Sequence, residues 1–279
     1  PHSNCVPTIE EPDWTMPAVP QPGGMIQAPD PVTGELQWEP FDMVMIIGDS
    51  AIERGTYKVF DSGSLCLYPM SPELVNKSTD NSIEATIGFF SIIVPDLANI
   101  ADPNTPITIS MIPQKPIEIN FGSGTTNDEG VTDSHITLTM PQIIIELSPL
   151  FDDSYQNVLS FSTDLILSLS VNAHSAGSIS VNIDTVKLTN FVELYNELNI
   201  SFEKDAIEYL ISSLLPSLQE ENNPFIIDID SETIGAPFVP KFRIAKALGS
   251  QKRYLAVYFR FCTPEELEDP QNHLCFEGE

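Results

Sequence analysis

Positive charge is what this chain has least of. Twelve Lys and Arg stand against 40 Asp and Glu, a formal net charge of −28. Nucleic-acid binding needs clustered cations to displace counterions from phosphate, so the balance argues strongly against it, and equally against electrostatic docking to an anionic membrane surface. Long apolar runs are missing too. No stretch approaches the roughly 18 apolar residues that a membrane-spanning helix requires. Cysteine is scarce, 4 in 279 residues, and no two stand in a CxxC spacing, which argues against a zinc site. His2, His135, His174 and His273 are scattered and read as surface-loop residues. No signal peptide is visible, and a start at Pro1 reads as a mature or trimmed product.

What is present bounds the rest. A hydrophobic content of 42% can build a sizeable core in one large domain or two small ones. An even number of cysteines in a chain rich in Ser, Thr, Asn and Pro fits an oxidising compartment and two disulfides. Cys262 and Cys275 stand close enough to close a short loop, which leaves Cys5 with Cys66; Cys66 with Cys262 is the alternative if the first and last strands are neighbours. Two sequons, Asn76-Lys77-Ser78 and Asn199-Ile200-Ser201, matter in a glycosylating host.

Residues 1–41 are dense in proline and carry no Lys or Arg, and their apolar residues follow no regular period. They read as an extended leader or linker, anchored to the body by Trp14 and Trp38. From Met43 the spacing of Ile46, Ile47, Ser50, Ala51, Arg54, Tyr57 and Lys58 predicts a helix, with Gly63 as its C-terminal cap. Leu65 and Leu67 then start a strand, and Phe89-Phe90 to Val94 reads as a short helical turn ending at Pro95.

Strict alternation takes over from there. Ile107, Ile109 and Met111; Ile117, Ile119 and Phe121; and Ile136, Leu138 and Met140 alternate with polar neighbours, and Ile143, Ile145 and Leu147 keep the same period around Ile144 and Glu146. The pattern continues through Leu159 and Phe161, Leu165 to Val171, Ile179 to Ile183, and Val186 with Leu188. It predicts an antiparallel meander with one buried face. Phe202 to Glu221 carries the apolar stripe Ile207, Leu210, Ile211, Leu214, Leu215 and Leu218 of a second helix, with Pro216 near its end. Strands return at Phe225 to Ile229, Phe238 to Ala245 and Tyr254 to Phe261, and residues 263–279 form an acidic tail.

This order of elements resembles the barrel of the lipid-binding family that includes bactericidal/permeability-increasing protein, lipopolysaccharide-binding protein, and the phospholipid and cholesteryl ester transfer proteins. The residues that carry the likeness are Phe60-Asp-Ser-Gly-Ser-Leu-Cys-Leu67, Gly88-Phe-Phe-Ser-Ile-Ile-Val-Pro95, Met140-Pro141 to Leu147, Ser178 to Leu188, Tyr209 to Leu218, and Ala236-Pro-Phe-Val-Pro240. They run from Asp42 to Phe261 in the order of that family's C-terminal barrel. The resemblance implies an α+β fold: a long helix wrapped by a strongly curved antiparallel β-sheet (a TULIP-like barrel, residues 42–262), with a second helix alongside. It implies acyl chains in the seam between helices and sheet, and so lipid contact for Ile47, Ala51, Ile52, Phe60, Phe89, Phe90, Leu210, Ile211 and Leu214. It implies a bacterial, extracytoplasmic (periplasmic, cell-surface or secreted) lipid-binding or lipid-transfer protein that needs no cofactor, with a second barrel or a homodimer as partner. Endotoxin neutralisation does not carry over, because that chemistry uses cationic tips.

Two rival readings come from other features. Ile46-Ile47-Gly48-Asp49-Ser50 resembles the first block of the GDSL or SGNH esterases, where a strand delivers a serine nucleophile. That family places Asp and His three apart near the C-terminus, whereas Asp269 and His273 are four apart and no alternating β and α units follow. The expectation is therefore a non-enzyme with Ser50 on a helix. A structural or adhesive surface protein, using the barrel for assembly, is the third reading. Asp228-Ile-Asp230-Ser-Glu232 lacks the glycine of a calcium loop at its sixth position, where Thr233 stands, and Asn127-Asp128-Glu129 with Asp133 is no stronger. Lys241, Arg243, Lys246, Lys252, Arg253 and Arg260 concentrate half of the cations on the last strands.

Overall fold

Strands dominate the computed structural model, which describes residues 5–30, 33–73, 84–92, 94–126, 132–175, 178–201, 205, 208, 226–228, 238–269, 272 and 275. In chain order they run β1 (Met25–Pro29), β2 (Leu36–Pro40), β3 (Met43–Gly48), α1 (Asp49–Asp61), β4 (Leu67–Met70), α2 (Ile87–Phe90), a 3₁₀ turn (Pro95–Asn99), β5 (Ile107–Pro113), β6 (Glu118–Phe121), β7 (Thr125–Thr126) and β8 (Thr132–Asp133). Then come β9 (Ile136–Phe151), β10 (Ser154–Tyr155), β11 (Leu159–Ser175), β12 (Ser178–Tyr195), β13 (Ile226–Asp228), β14 (Val239–Leu248), β15 (Tyr254–Cys262) and α3 (Pro264–Glu268).

The main sheet has the order β13-β12-β11-β9-β5-β4, with β6 and β10 also on β9. Its three central strands are 16, 17 and 18 residues long. Each merges two of the runs that the sequence shows as separate alternating segments. On β9 the join is a β-bulge, and β12 carries several, one of them at Asp184 between its two runs. Opposite Asp164 of β11, β9 places both Pro141 and Gln142, because Thr163 pairs with Ile143 and Leu165 with Met140. Opposite Thr163, β12 places Asn190 and Phe191, because Ser162 pairs with Val192 and Asp164 with Thr189. Gln142 and Asn190 both take φ of 53°. An extra residue swaps the two faces of a strand. On β9 the inward set is therefore Ile136 and Leu138 before the bulge, but Ile145 and Leu147 after it. Asp164 ties the two bulges together: one oxygen accepts from the Gln142 N–H at 2.7 Å, the other from Asn190 Nδ2 at 2.6 Å.

The two halves of the sheet carry separate cores. On one half, Ile87, Phe90, Val94 and Leu97 pack on Ile107, Leu147, Leu159 and Phe161. On the other, Ile119, Phe121, Val171 and Ile179 meet Ala245, Leu255, Val257 and Phe259 of a second sheet, ordered β14-β15-β3. The far face of that second sheet is covered in turn by the β1–β2 hairpin, through Ile26 and Ala28 on Ala256 and Tyr258. A nearly buried ion pair pins the hairpin down: Arg243 donates to both Glu39 oxygens, at 2.6 and 3.0 Å. His135 joins the two sheets. Its Nδ1 accepts from the Val171 N–H at 2.9 Å, and the ring donates to the Ala245 carbonyl.

Several expectations need correction. Met43–Gly48 is a strand, so the helix starts at Asp49 and has 13 residues; it is not a long helix wrapped by a sheet. The continuous apolar run misled because both faces of β3 are covered: Met43 and Met45 by one core, Val44 and Ile46 by the other. No sheet among the described residues closes into a barrel. The antiparallel α+β reading stands. Within the stretch expected as an extended leader, residues 25–40 are a hairpin. His135, at the bend before β9, is a half-buried bridge rather than a surface residue, while His2 and His273 lie outside the described residues. Of the expected second helix only Asp205 and Glu208 are described, both helical, with Glu208 accepting from the Leu188 N–H at 2.7 Å. Gly63 does take left-handed geometry at the end of α1, with φ of 73°. The disulfides are Cys5–Cys66 and Cys262–Cys275, the first of the two pairings expected.

Two outcomes follow. Asp164→Ala removes the acceptor shared by both bulges and should destabilise the protein by about 1–3 kcal/mol in urea unfolding, the usual range for hydrogen bonds to a charged group. Burial lowers the His135 pKa, against the opposing pull of Asp184, the Ala245 carbonyl and Asp133. The unfolded chain then takes up the proton first. The stabilisation is complete above the ordinary histidine value of about 6.5 and is lost as pH falls through the lower folded value. Between pH 7.5 and 5, Tm of the native protein should fall relative to that of His135→Gln, which lacks this titration.

Candidate functional site

At the end of the main sheet, the first core stops short of closing. β9 reverses into β10 through Asp152 and Asp153, whose φ of 44° and 63° suit a tight hairpin turn. The chain returns past Gln156 to Val158, whose N–H bonds the Leu147 carbonyl at 3.0 Å. Beyond β12, the Asn196 side chain knits the next turn by donating to the Ile200 carbonyl at 2.9 Å and accepting from the Ile200 N–H at 2.7 Å. The Ser201 N–H then reaches Asp96 at 2.8 Å, tying this turn to the 3₁₀ turn and holding the Asp96 carboxyl below its ordinary pKa.

These turns enclose a cavity of about 370 Å³. Ile100, Phe151, Val158, Leu198 and Tyr195 supply its apolar wall; Gln156, Asn157 and Glu197 supply the polar part. A hydrogen bond between Tyr195 and Glu197 pushes the phenol pKa up. No Lys, Arg or His lines the cavity among the described residues. Asn157 Oδ1 is sealed from solvent with no hydrogen-bond partner.

The expected lipid-contact residues fall into two groups. Phe89 and Phe90 meet edge to face at 5.2 Å and belong to the first core, together with Ile100, Phe151 and Val158 of the cavity wall. Ile52 packs in the second core, Phe60 is buried on α1, Ile47 is half-buried on β3, and Ala51 is exposed. Leu210, Ile211 and Leu214 lie outside the described residues. The cavity wall itself escaped the sequence reading. Its one signal was that inward-facing apolar residues persist to the ends of their strands, at Phe151 and Val158, beside sharp acidic turns.

Asp49 and Ser50 form the first turn of α1 directly after strand β3, so the local path is strand into helix. The chemistry around them is structural. Arg253 grips Asp49 with two hydrogen bonds, at 2.7 and 3.0 Å, and also donates to the Thr15 carbonyl. Burial, then repulsion from Asp49, raises the Glu53 pKa one turn on. Both nitrogens of His135 are occupied by Val171 and Ala245, so that ring offers no base to a serine. Asp269 is the residue on which α3 ends.

Five of the six cations of the last strands are engaged within the molecule: Arg243 on Glu39, Arg253 on Asp49, Lys252 on Asp133, Lys241 on the Cys275 carbonyl, and Lys246 over the Tyr258 ring. No cluster of metal-ligating side chains exists among the described residues. Of the two acidic loops considered, residues 127–130 and 229–233 lie outside them.

Fold and site define an antiparallel α+β protein, held by two disulfides, with an uncharged-to-acidic cavity at one end of its main sheet. The disulfides fit an extracytoplasmic setting, and no described helix is long and apolar enough to cross a membrane. No family model matches the chain, and no curated protein matches it. Among solved structures it is similar to a crystal structure of lipopolysaccharide binding protein, at 12% identity and a TM-score of 0.41. That similarity covers 70% of this chain and 40% of the other.

For Ser50 the expected result is negative. Native protein and Ser50→Ala should release nitrophenol from a nitrophenyl ester at the same background rate; a loss of turnover confined to the variant would restore the hydrolase reading.

Proposed function

We propose that this protein is a non-enzymatic, extracytoplasmic lipid-binding protein that holds an acyl chain in the cavity at the end of its main sheet. One observation carries this reading. Phe89 and Phe90, two residues expected to touch lipid, pack in the same cluster as Ile100, Phe151 and Val158, which line that cavity. The volume of about 370 Å³ falls within the range of small-molecule sites, roughly 300–1,000 Å³. Its apolar wall would gain about 0.8 kcal/mol per methylene buried. The polar residues sit together on Gln156, Asn157 and Glu197, so a chain enters the apolar side and its head stays by solvent. Strand ends and tight turns build the site, which suits reversible loading: the surrounding sheet stays hydrogen-bonded while the chain comes and goes.

Native mass spectrometry after incubation with twelve- to sixteen-carbon amphiphiles tests this. One bound chain per protein is expected. Leu198→Trp, a change at a half-exposed wall residue, should fill the cavity and weaken binding about tenfold, the equivalent of about two methylenes. If no acyl chain is carried over or taken up, the proposal fails.

A further inference from the structure

Resting on the lipid-binding reading, we infer that the cavity selects single-chain amphiphiles whose head donates hydrogen bonds and carries no negative charge, a hydroxyl or an ammonium, and rejects carboxylate and phosphate heads. The argument begins with what the mouth offers. Anion recognition needs cationic side chains or a set of free N–H donors. No cationic side chain lines the cavity among the described residues, and its side-chain N–H donors are limited to the amides of Gln156 and Asn157. The described cations sit on α1, on the middle of the main sheet, between β5 and β6, or on the β14–β15 hairpin.

The donors nearest the mouth are already engaged. Tyr195 is hydrogen-bonded to Glu197. Gln156 Nε2 is 3.4 Å from Ser154 Oγ. The Ile200 and Ser201 N–H groups, which would otherwise point into the turn beside Leu198, are taken by Asn196 Oδ1 and Asp96 at 2.7 and 2.8 Å. What remains is acceptor capacity. Glu197 is the one ionised group of the lining, and it is exposed, so its oxygens can meet a ligand head without losing their contact with water.

Charge beyond the lining has the same sign. Asp96, Asp152, Asp153 and Glu193 all lie on the turns and strand end that frame the cavity, in a chain of net charge −28. An anionic head placed here is repelled by Glu197 and its neighbours and finds no donor to replace its hydration. A hydroxyl or ammonium head donates to the Glu197 carboxylate and keeps its hydration on the open side. The volume, near the lower end of ligand-binding sites, suits one chain rather than two.

The test uses three ligands of equal chain length, dodecanol, dodecylamine and laurate, below their micellar concentrations at pH 7.5 and low salt. Affinities are read by calorimetry, and Leu198→Trp identifies the cavity-specific part. Dodecanol and dodecylamine should bind at least about tenfold more tightly than laurate. Glu197→Gln, which keeps the side chain's shape, should bring laurate to within about threefold of dodecanol. Added salt should narrow the dodecylamine–laurate gap, since the Debye length falls to about 3 Å at 1 M. Which of the two donor heads binds better separates a hydroxyl site from an ammonium site within the inference. Laurate binding as tightly as dodecanol, or a preference untouched by Glu197→Gln, overturns the head-group inference while leaving the lipid-binding reading in place. If none of the three binds in a Leu198-dependent way, both fall together.

Discussion

One carboxylate shared by two bulges underlies the architecture. Asp164 accepts from the Gln142 backbone on one side and the Asn190 side chain on the other, and each of those residues is the extra one in its strand. Without Gln142, β9 would keep one parity throughout and half of it would turn its apolar set toward solvent; the extra residue at Asn190, like another at Asp184, resets the faces of β12. With them, a single hydrogen-bonded sheet presents an inward apolar face along its whole length and carries two cores rather than one. Everything else is placed by which core it joins.

The second core is closed from both sides. The β14-β15-β3 sheet covers it, and the β1–β2 hairpin covers that sheet in turn. The few cations of the chain are concentrated in this region, and most hold one layer to another: Arg243 reaches the hairpin, Arg253 the start of α1, and Lys252 the loop before β9. The two less exposed pairs, Arg243 with Glu39 and Arg253 with Asp49, bind layers in a defined register even where their net contribution to stability is modest. With half of the chain's cations on the last two strands, none lines the cavity at the other end among the described residues, and its only charged lining group is a carboxylate.

The first core has no such cover among the described residues, and the candidate site lies there. Its helical turns, α2 and the 3₁₀ segment, are short, and the strands that flank them end in tight acidic turns. Apolar side chains at those ends, Phe151, Val158 and Leu198, have no opposing layer to meet among the described residues, so they line space. Among the described residues there is an asymmetry: one sheet, two cores, and a full set of covering layers over only one of them.

Much of this was legible in the chain. Alternation at Ile107–Met111, Leu165–Val171 and Ile179–Ile183 marks half-buried antiparallel strands because side chains on a pleated strand point alternately to the two faces. Gly63 marks the end of α1, and the spacing of Cys262 and Cys275 marks a short closed loop. These are properties of residues and near neighbours, and they need no knowledge of what lies across the sheet. The structure alone decided the rest. Met43–Ile47 is a strand because layers on both sides bury it, and an unbroken apolar run does not distinguish that from a helix. Pro141-Gln142 and Asn190-Phe191 are bulges inside long strands, and Asp164 bonds to both, a relation between residues 22 and 26 positions apart. The cavity was invisible for the same reason. A void is defined by side chains that are not there, and which chain segments fail to meet is settled only when the layers are stacked.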